Sequence, residues 1–228
     1  MRQGIETPDD EHTREIRLLK DHVAEMTELA VGMVADGTRA LVNADVELSR
    51  SVAVRDAPLD RYDVAVEVEA IRLVAILQPE GSDLRTIEAL LKIANCVDRI
   101  GRLGYDLARN ISTVPLPTED THRMLREMDE RARAMVRQAM HAFVIEDAAA
   151  AKAVLVLDDA VDELFHQTQA RLIELMHAGG PVTDRLAYEL LGARHLERVA
   201  DNACKIAERA VYAITGERRS EYFPPRPS

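Results

Sequence analysis

Two pairs of carboxylates in the C-terminal half have the spacing of neighbouring ligands on a helix. Asp158 and Asp162 are four residues apart, and Glu197 and Asp201 have the same spacing. Residues at i and i+4 of an α-helix share one face, so each pair places two negative charges side by side. Such like-charge pairs destabilise a helix by roughly 0.2–0.5 kcal/mol unless a cation lies between them. The pattern therefore indicates a compensating metal ion or an arginine.

The residues around these acids place them at the border of an apolar stripe. Asp158 and Asp162 share a helical row with Leu155 and Phe165, and Glu197 is flanked by apolar residues. Several buried carboxylates without partners would be very costly. Four carboxylates on two antiparallel helices suit hard or borderline cations, so iron, manganese, magnesium, calcium and zinc are all candidates. Spacing alone leaves an alternative, a set of solvated acids, because 30% of all residues are charged.

The composition predicts an all-α protein that would hold these acids on helices. Hydrophobic residues make up 47% of the 228 residues, aromatic residues only 4%, and tryptophan is absent. Alanine, leucine, valine, glutamate and arginine dominate, a mixture typical of helix interiors. The net charge of -11 repels phosphate backbones and anionic lipids, so we expect no binding to nucleic acid. No apolar run is long enough to span a bilayer, so we expect a cytoplasmic protein without membrane insertion.

Apolar residues recur with the helical period in six long segments. The predicted helices cover residues 7–47, 59–77, 83–111, 118–146, 150–177 and 184–215, with broken striping near residues 49–52. The first begins with a capping Thr7 followed by Pro8 and two acids. Proline and glycine mark the breaks, in Gln78-Pro79-Glu80-Gly81-Ser82, Val114-Pro115-Leu116-Pro117 and Gly179-Gly180-Pro181.

The six predicted helices form two similar sets of three. Residues 91–110 can be laid over residues 190–209, and Asp56 and Asp60 then have counterparts in Asp158 and Asp162. An internal duplication of this kind predicts one supersecondary unit used twice. We expect a first three-helix repeat at residues 8–113, a second at 118–217, and a disordered tail at 218–228.

Segments from both halves resemble the PhoU family, over about residues 10–217. Those of the first half are Gln78-Pro79-Glu80-Gly81-Ser82-Asp83-Leu84-Arg85, Leu91-Lys92-Ile93-Ala94 and Asp98-Arg99-Ile100-Gly101. Those of the second half are His195-Leu196-Glu197-Arg198-Val199-Ala200-Asp201-Asn202-Ala203, Ile206-Ala207-Glu208, Val211-Tyr212 and Thr215-Gly216-Glu217. The resemblance implies two tandem three-helix bundles made of six long antiparallel helices.

The resemblance also implies metal sites at acid-x-x-x-acid motifs on facing helices, with iron or zinc as the usual ions. In the second half it assigns this role to the metal ligands Asp158, Asp162, Glu197 and Asp201.

In the first half the resemblance reaches only Asp56, Asp60 and Asp98, because Arg102 stands where the last acid would be. A guanidinium has no lone pair for a metal. The hypothesis is that Arg102 replaces the metal charge by pairing with Asp98 and Asp60. A metal bound to the three aspartates would contradict it.

The function implied by the resemblance is regulation of phosphate uptake and phosphate homeostasis. The protein would be a cytoplasmic adaptor, not an enzyme. As a homodimer, it would contact the ATPase subunit of a phosphate transporter and a phosphate sensor histidine kinase. It would restrain uptake and starvation signalling when phosphate is plentiful.

Two other functions remain open from the residues alone: a metal-carboxylate protein with a redox or storage role, and a purely structural helical partner. Di-iron proteins of the ferritin type need an E-x-x-H motif on each of two helices. Glu163-x-x-His166 and Glu174-x-x-His177 lie on the same predicted helix, which argues against that class. His195 is interpreted as a partly exposed polar residue, and the alternative is a residue that orients the nearby metal ligand Glu197. Cys96 and Cys204 are interpreted as free structural thiols.

Overall fold

The computed structural model describes residues 8–111, 119–178 and 183–218, and this part of the chain is entirely helical, apart from short turns. The helices are α1 (Pro8–Asn43), α2 (Val46–Ala53), α3 (Asp56–Leu77), α4 (Gly81–Arg109), α5 (Glu119–Val144), α6 (Ala148–His177) and α7 (Thr183–Thr215). Six of them are long, which confirms the predicted all-α architecture. Thr7, the break at residues 114–117, the break at 179–181 and most of the predicted tail lie outside the described residues.

The first predicted helix is shorter than expected, and an additional short helix follows it. α1 ends at Asn43 and not near Glu47, and α2 covers the segment where the stripe was expected to break. Asp45 starts α2, because its carboxylate accepts a 2.9 Å hydrogen bond from the amide of Leu48. Val52 then anchors the short helix in the core, where it is fully buried. The chain therefore bends on both sides of this segment, not within it.

The turn before α2 occurs again before α6. Ala44 and Glu146 both have a positive φ, of 54° and 59°, and each is followed by an aspartate that caps the next helix. Asp147 accepts a 2.9 Å hydrogen bond from the amide of Ala150. The same sequence spacing that relates Asp45 to Asp147 also relates Asp56 to Asp158. The broken pair α2 and α3 therefore corresponds to the continuous helix α6.

The two halves share one hydrophobic core. α1 packs on α4 and α5, α5 and α6 pack on α7, and α4 packs on α7 across the middle of the molecule. The largest fully buried side chains include Leu19, Met26, Met33, Leu90, Ile93 and Phe143. A continuous cluster of buried residues runs through both halves. The acids of each half are thus carried on helices that a common core fixes in place.

Glycine lets α4 lie directly on α1 and α3. A Cβ atom at Gly104 would be 2.6 Å from the carbonyl carbon of Met33, so the backbones of α1 and α4 touch here. A Cβ atom at Gly101 would be 2.2 Å from a methyl group of Leu59. Leu59 is fully buried next to Asp60, and Gly101 precedes Arg102. This packing fixes the acids of α3 opposite Arg102 of α4.

None of the helices in the described residues is both long and apolar enough to cross a membrane.

Candidate metal centre

The structure brings the four predicted ligands of the second half together on α6 and α7. Asp158 is almost fully buried, and Asp162, Glu197 and Asp201 are partly buried. Burial raises the pKa of Glu197, and the charges of Asp201, Asp162 and Asp158 raise it further, in that order, although Arg194 acts in the opposite direction. The negative charges of all three other carboxylates therefore act on Glu197. The four acids form a single cluster, here called the α6–α7 acid cluster.

Glu197 has one oxygen that is paired and one that is not. Its Oε1 accepts a 2.5 Å hydrogen bond from Nη1 of Arg194. Its Oε2 is buried and has no hydrogen-bond partner within the described part of the chain. The Arg194 guanidinium also lies 5.7 Å from the centre of the Phe165 ring. A buried carboxylate oxygen without a donor is an acceptor that a cation would satisfy.

The donor set of the α6–α7 acid cluster fits a hard or borderline metal ion, because all of its donors are carboxylate oxygens. As the side chains stand, no three histidine, cysteine, aspartate or glutamate residues among those described are arranged to hold a metal. Asp158, Asp162, Glu197 and Asp201 are the side chains that would hold an ion here. The ion would supply the positive charge that offsets their mutual repulsion.

Cys204 belongs to the surroundings of this cluster, a role that the sequence interpretation missed. The thiol is free and buried, as expected for a structural cysteine. Burial raises its pKa, and the charge of Asp158 and a hydrogen bond to that residue raise it further. The thiol is therefore protonated near neutral pH and donates to the Asp158 carboxylate. Its position three residues after Asp201, on the same helical face, was the signal available in the sequence.

Arg102 occupies the centre of the corresponding cluster in the first half. Its Nε lies 3.0 Å from Oδ2 of Asp98, and its Nη2 lies 2.7 Å from Oδ1 of Asp60. These contacts confirm the predicted pairing. Its Nη1 is also 4.0 Å from Oδ1 of Asp56, so one guanidinium reaches all three aspartates. The hydrogen bond to Asp98 is the main reason why the pKa of Arg102 lies above its ordinary value.

Asp63 is a fourth acid of the first-half cluster that the sequence interpretation missed. Burial raises its pKa, the charges of Asp98 and Glu67 raise it further, and that of Arg102 lowers it. Asp63 lies one turn after Asp60 on α3, so the helical period alone could have included it. The cluster therefore contains four aspartates around one arginine.

The other candidate residues lie outside the two clusters. Glu163 hydrogen-bonds to Gln167 and Glu174 to Arg171, on exposed parts of α6. His195 is half-buried, and burial lowers its pKa. The charges that act on it are those of Asp106 and Arg198, not those of the α6–α7 acid cluster.

A separate buried network joins the N-terminal ends of α5 and α7, and it was not predicted. Glu189 is fully buried and accepts hydrogen bonds from Oγ1 of Thr121 at 2.8 Å and from Nε of Arg185 at 3.5 Å. Nε2 of His122 lies 3.0 Å from Glu189 Oε1. Arg185 also donates to the carbonyl oxygen of Val42 at the end of α1. The network fixes three helix ends to one another.

Comparisons with known proteins agree with this architecture. The model of the PhoU domain matches residues 23–111 and again residues 125–210. A protein of Aquifex aeolicus named phosphate-specific transport system accessory protein PhoU homolog is 33% identical over 205 residues, which cover 90% of this chain and 93% of that protein. A protein of Rhizobium meliloti with the same name is 30% identical over 205 residues, covering 89% of this chain and 86% of that one.

The crystal structure of PhoU from Pseudomonas aeruginosa superposes with a TM-score of 0.84 at 27% identity, covering 90% of this chain and 99% of that chain. The domain model thus matches each half separately, and the solved fold spans both halves. One PhoU domain lies within α1–α4 and the other within α5–α7, so the chain is a member of the PhoU family.

Proposed function

We propose that this protein regulates phosphate uptake by restraining a phosphate transporter and phosphate-starvation signalling when phosphate is plentiful. The observation that carries the proposal is the PhoU-domain match in both halves, together with full-length relatives named as accessory proteins of a phosphate-specific transport system. An accessory protein acts by binding other components. The protein is therefore proposed as an adaptor and not as an enzyme.

The proposed partners are the ATPase subunit of the transporter and a phosphate sensor histidine kinase, contacted on the cytoplasmic side by a homodimer of this chain. Exposed apolar side chains on the outer faces of the helices support binding to other proteins. Val64, Val68 and Ile71 of α3 are each more than half exposed, and so is Val156 of α6. Apolar rows of this kind are a common basis for helix-mediated recognition.

The metal proposal concerns the α6–α7 acid cluster alone. Its four carboxylates are proposed to hold iron or zinc, with manganese, magnesium or calcium as alternatives. The buried, unpartnered Oε2 of Glu197 and the raised pKa of that residue support it. In the first half, Arg102 already supplies the positive charge.

The regulatory function is tested in cells that lack the chain. In phosphate-rich medium, we expect faster phosphate uptake and raised output from a phosphate-starvation promoter, both restored by the intact gene. Unchanged uptake and unchanged promoter output would contradict the proposal. Uptake is measured with radiolabelled phosphate, and the promoter with a fluorescent reporter.

Metal binding is tested separately on purified protein by elemental analysis. The double variant Glu197→Ala/Asp201→Ala should lose the metal that the wild type carries. The matched variant Asp56→Ala/Asp98→Ala should retain it, because Arg102 is proposed to take the place of a metal ion in that cluster. Loss from the second variant alone would show that the metal lies in the first half.

A further inference from the structure

An open groove lies between α3 and α4 and is lined by both acids and apolar side chains. It has a volume of about 610 Å³. Its carboxylates are Asp63, Glu67 and Glu88, and its apolar lining includes Val66, Leu91 and Ala94. Val66 and Ala94 are buried, so the apolar part forms the floor. This feature is here called the α3–α4 groove.

The acids of the groove continue the first-half cluster along the same seam. Asp56, Asp60, Asp63 and Glu67 recur along α3 with the helical period and so lie in one row. At a rise of 1.5 Å per residue, this row is about 16 Å long. Arg102 balances only one end of the row. At the other end, Lys92 is the single basic residue in the groove lining, against three carboxylates.

Two observations show that this negative charge is incompletely compensated. The Oε2 atom of Glu88 is buried and has no hydrogen-bond partner among the described residues. The pKa of Asp63 is raised by burial and then by the neighbouring carboxylates Asp98 and Glu67. A cationic group in the groove would relieve both the missing hydrogen bond and the repulsion.

An apolar row runs parallel to the acids on the same helix. Val64 is 58% exposed, Val68 is 62% exposed and Ile71 is 59% exposed. The row is about 10 Å long. Ile71 also forms part of the groove wall, so the apolar row and the groove are continuous. A ligand that covers both must combine an apolar face with positive charges at its border.

Larger side chains stand at the corresponding positions of the second half. Phe165 corresponds to Asp63 by the same offset that relates Asp158 to Asp56. Arg194 corresponds to Asn95 by the offset that relates Glu197 to Asp98. Phe165 is buried, and the Arg194 guanidinium lies over its ring. A large ring covered by an arginine thus occupies the place that a short acid and an asparagine leave open in the first half.

We infer that the α3–α4 groove is a docking site for a basic amphipathic helix of a partner protein. The length of both rows fits the side of a helix lying along the seam, with apolar side chains at i, i+4 and i+7 and lysine or arginine beside them. The charge of the groove is complementary to that helix and repels anionic lipid surfaces. The inference adds a surface to the proposed adaptor function, and its test in solution involves no phosphate uptake, so either can fail without the other.

The experiment uses the full-length protein and a fluorescein-labelled synthetic peptide of about 16 residues, made of leucine, alanine and lysine in an amphipathic pattern. Fluorescence anisotropy at physiological salt measures its affinity. A scrambled peptide of identical composition, without an apolar face, is the control for charge alone. We expect the amphipathic peptide to bind about tenfold more tightly than the scrambled one. Equal affinity of the two peptides would overturn the inference.

Two protein variants locate the binding site. Asp63→Phe/Asn95→Arg copies the closed arrangement of the second half and should abolish the preference for the amphipathic peptide. Glu67→Gln/Glu88→Gln should weaken binding about tenfold. The control Glu163→Gln/Glu174→Gln removes the same number of charges from exposed parts of α6 and should change the affinity less than about twofold. Circular dichroism verifies folding of each variant, and equal weakening in the groove and control variants would overturn the inference.

Discussion

Arg102 donates a 2.7 Å hydrogen bond from Nη2 to Oδ1 of Asp60, and this contact links α4 to α3. The same guanidinium bonds to Asp98 on its own helix. In the second half the corresponding position holds Asp201, a fourth negative charge. The two halves therefore carry similar rows of acids, but an arginine of the first-half cluster is replaced by an aspartate in the second half.

Replacing Arg102 with alanine should destabilise the protein in a salt-dependent way. The substitution removes the cation that pairs with Asp56, Asp60 and Asp98, but the Arg102 side chain is 52% exposed, so solvent screens much of the interaction. We expect the free energy of unfolding to fall by about 1 kcal/mol at low salt and by less in about 1 M NaCl. Urea denaturation at both salt concentrations measures the loss. Arg109→Ala, which removes an exposed arginine 4.0 Å from Asp106, should have little effect.

Glu197→Gln should stabilise the metal-free protein near neutral pH. Because the folded-state pKa of Glu197 is raised, its ionised form costs folding free energy. Glutamine removes that cost, so we expect a gain of about 0.5 kcal/mol in a chelating buffer. The gain should shrink as the pH falls through the raised pKa and vanish below the ordinary pKa of glutamate, where the wild-type side chain is protonated in both states.

The measurement for Glu197→Gln is urea denaturation between about pH 4 and pH 7. The exposed Glu163→Gln serves as the matched control and should show no comparable gain. If the gain in stability from Glu197→Gln instead increased toward low pH, the pKa of Glu197 would not be raised in the folded protein. When the metal that elemental analysis identifies is added, the wild type should become more stable than Glu197→Gln, because only the wild type keeps all four carboxylates.

Gly104→Ala should be strongly destabilising, whereas Gly32→Ala should not. The new methyl group at Gly104 would meet the backbone of Met33 and Val34 at 2.6 Å, so α1 and α4 would have to move apart. We expect a loss of about 3 kcal/mol. At Gly32 the nearest atom is the Nη1 of Arg55 at 3.7 Å, and alanine favours the helix by up to about 1 kcal/mol. Thermal denaturation of the pair should therefore shift in opposite directions.

Glu189→Gln should destabilise the molecule although it lies far from any proposed ligand. The substitution removes the negative charge that faces Arg185, which is itself buried. Breaking a buried charge pair by removing one partner leaves the other charge uncompensated, so we expect a loss of about 3 kcal/mol. Urea denaturation at neutral pH measures it. A loss no larger than that of the exposed Glu174→Gln would show that the network contributes little.

The long helices could be predicted because each buries an apolar row with a 3.6-residue period. α4 is the clearest case, since Ile87, Leu90, Ala94, Val97 and Leu107 are all buried. The pairing of Arg102 could be predicted for a similar reason, because the acids lie at i and i+4 on helices expected to be neighbours. The short helix α2 was missed because one capping aspartate and a single buried valine define it.

The remaining features could not be read from the sequence because they depend on distant segments. Glu189 contacts His122, and Asp129 accepts a hydrogen bond from Thr38 of α1. Each contact joins residues far apart along the chain, and no periodic pattern marks them. The α3–α4 groove is open because Asp63 and Asn95 are smaller than Phe165 and Arg194, which occupy the corresponding positions of the second half.

The packing of α4 on α7 suggests how a protein that contains only one of the two repeats would behave. Leu107 of α4 and Leu41 of α1 both approach Gly192 of α7, so the contact between the repeats is as close as the packing within them. A single repeat would expose this apolar face to water, and a second copy would be its natural cover. One polypeptide thus contains the interface that two separate half-length molecules would have to form by dimerising.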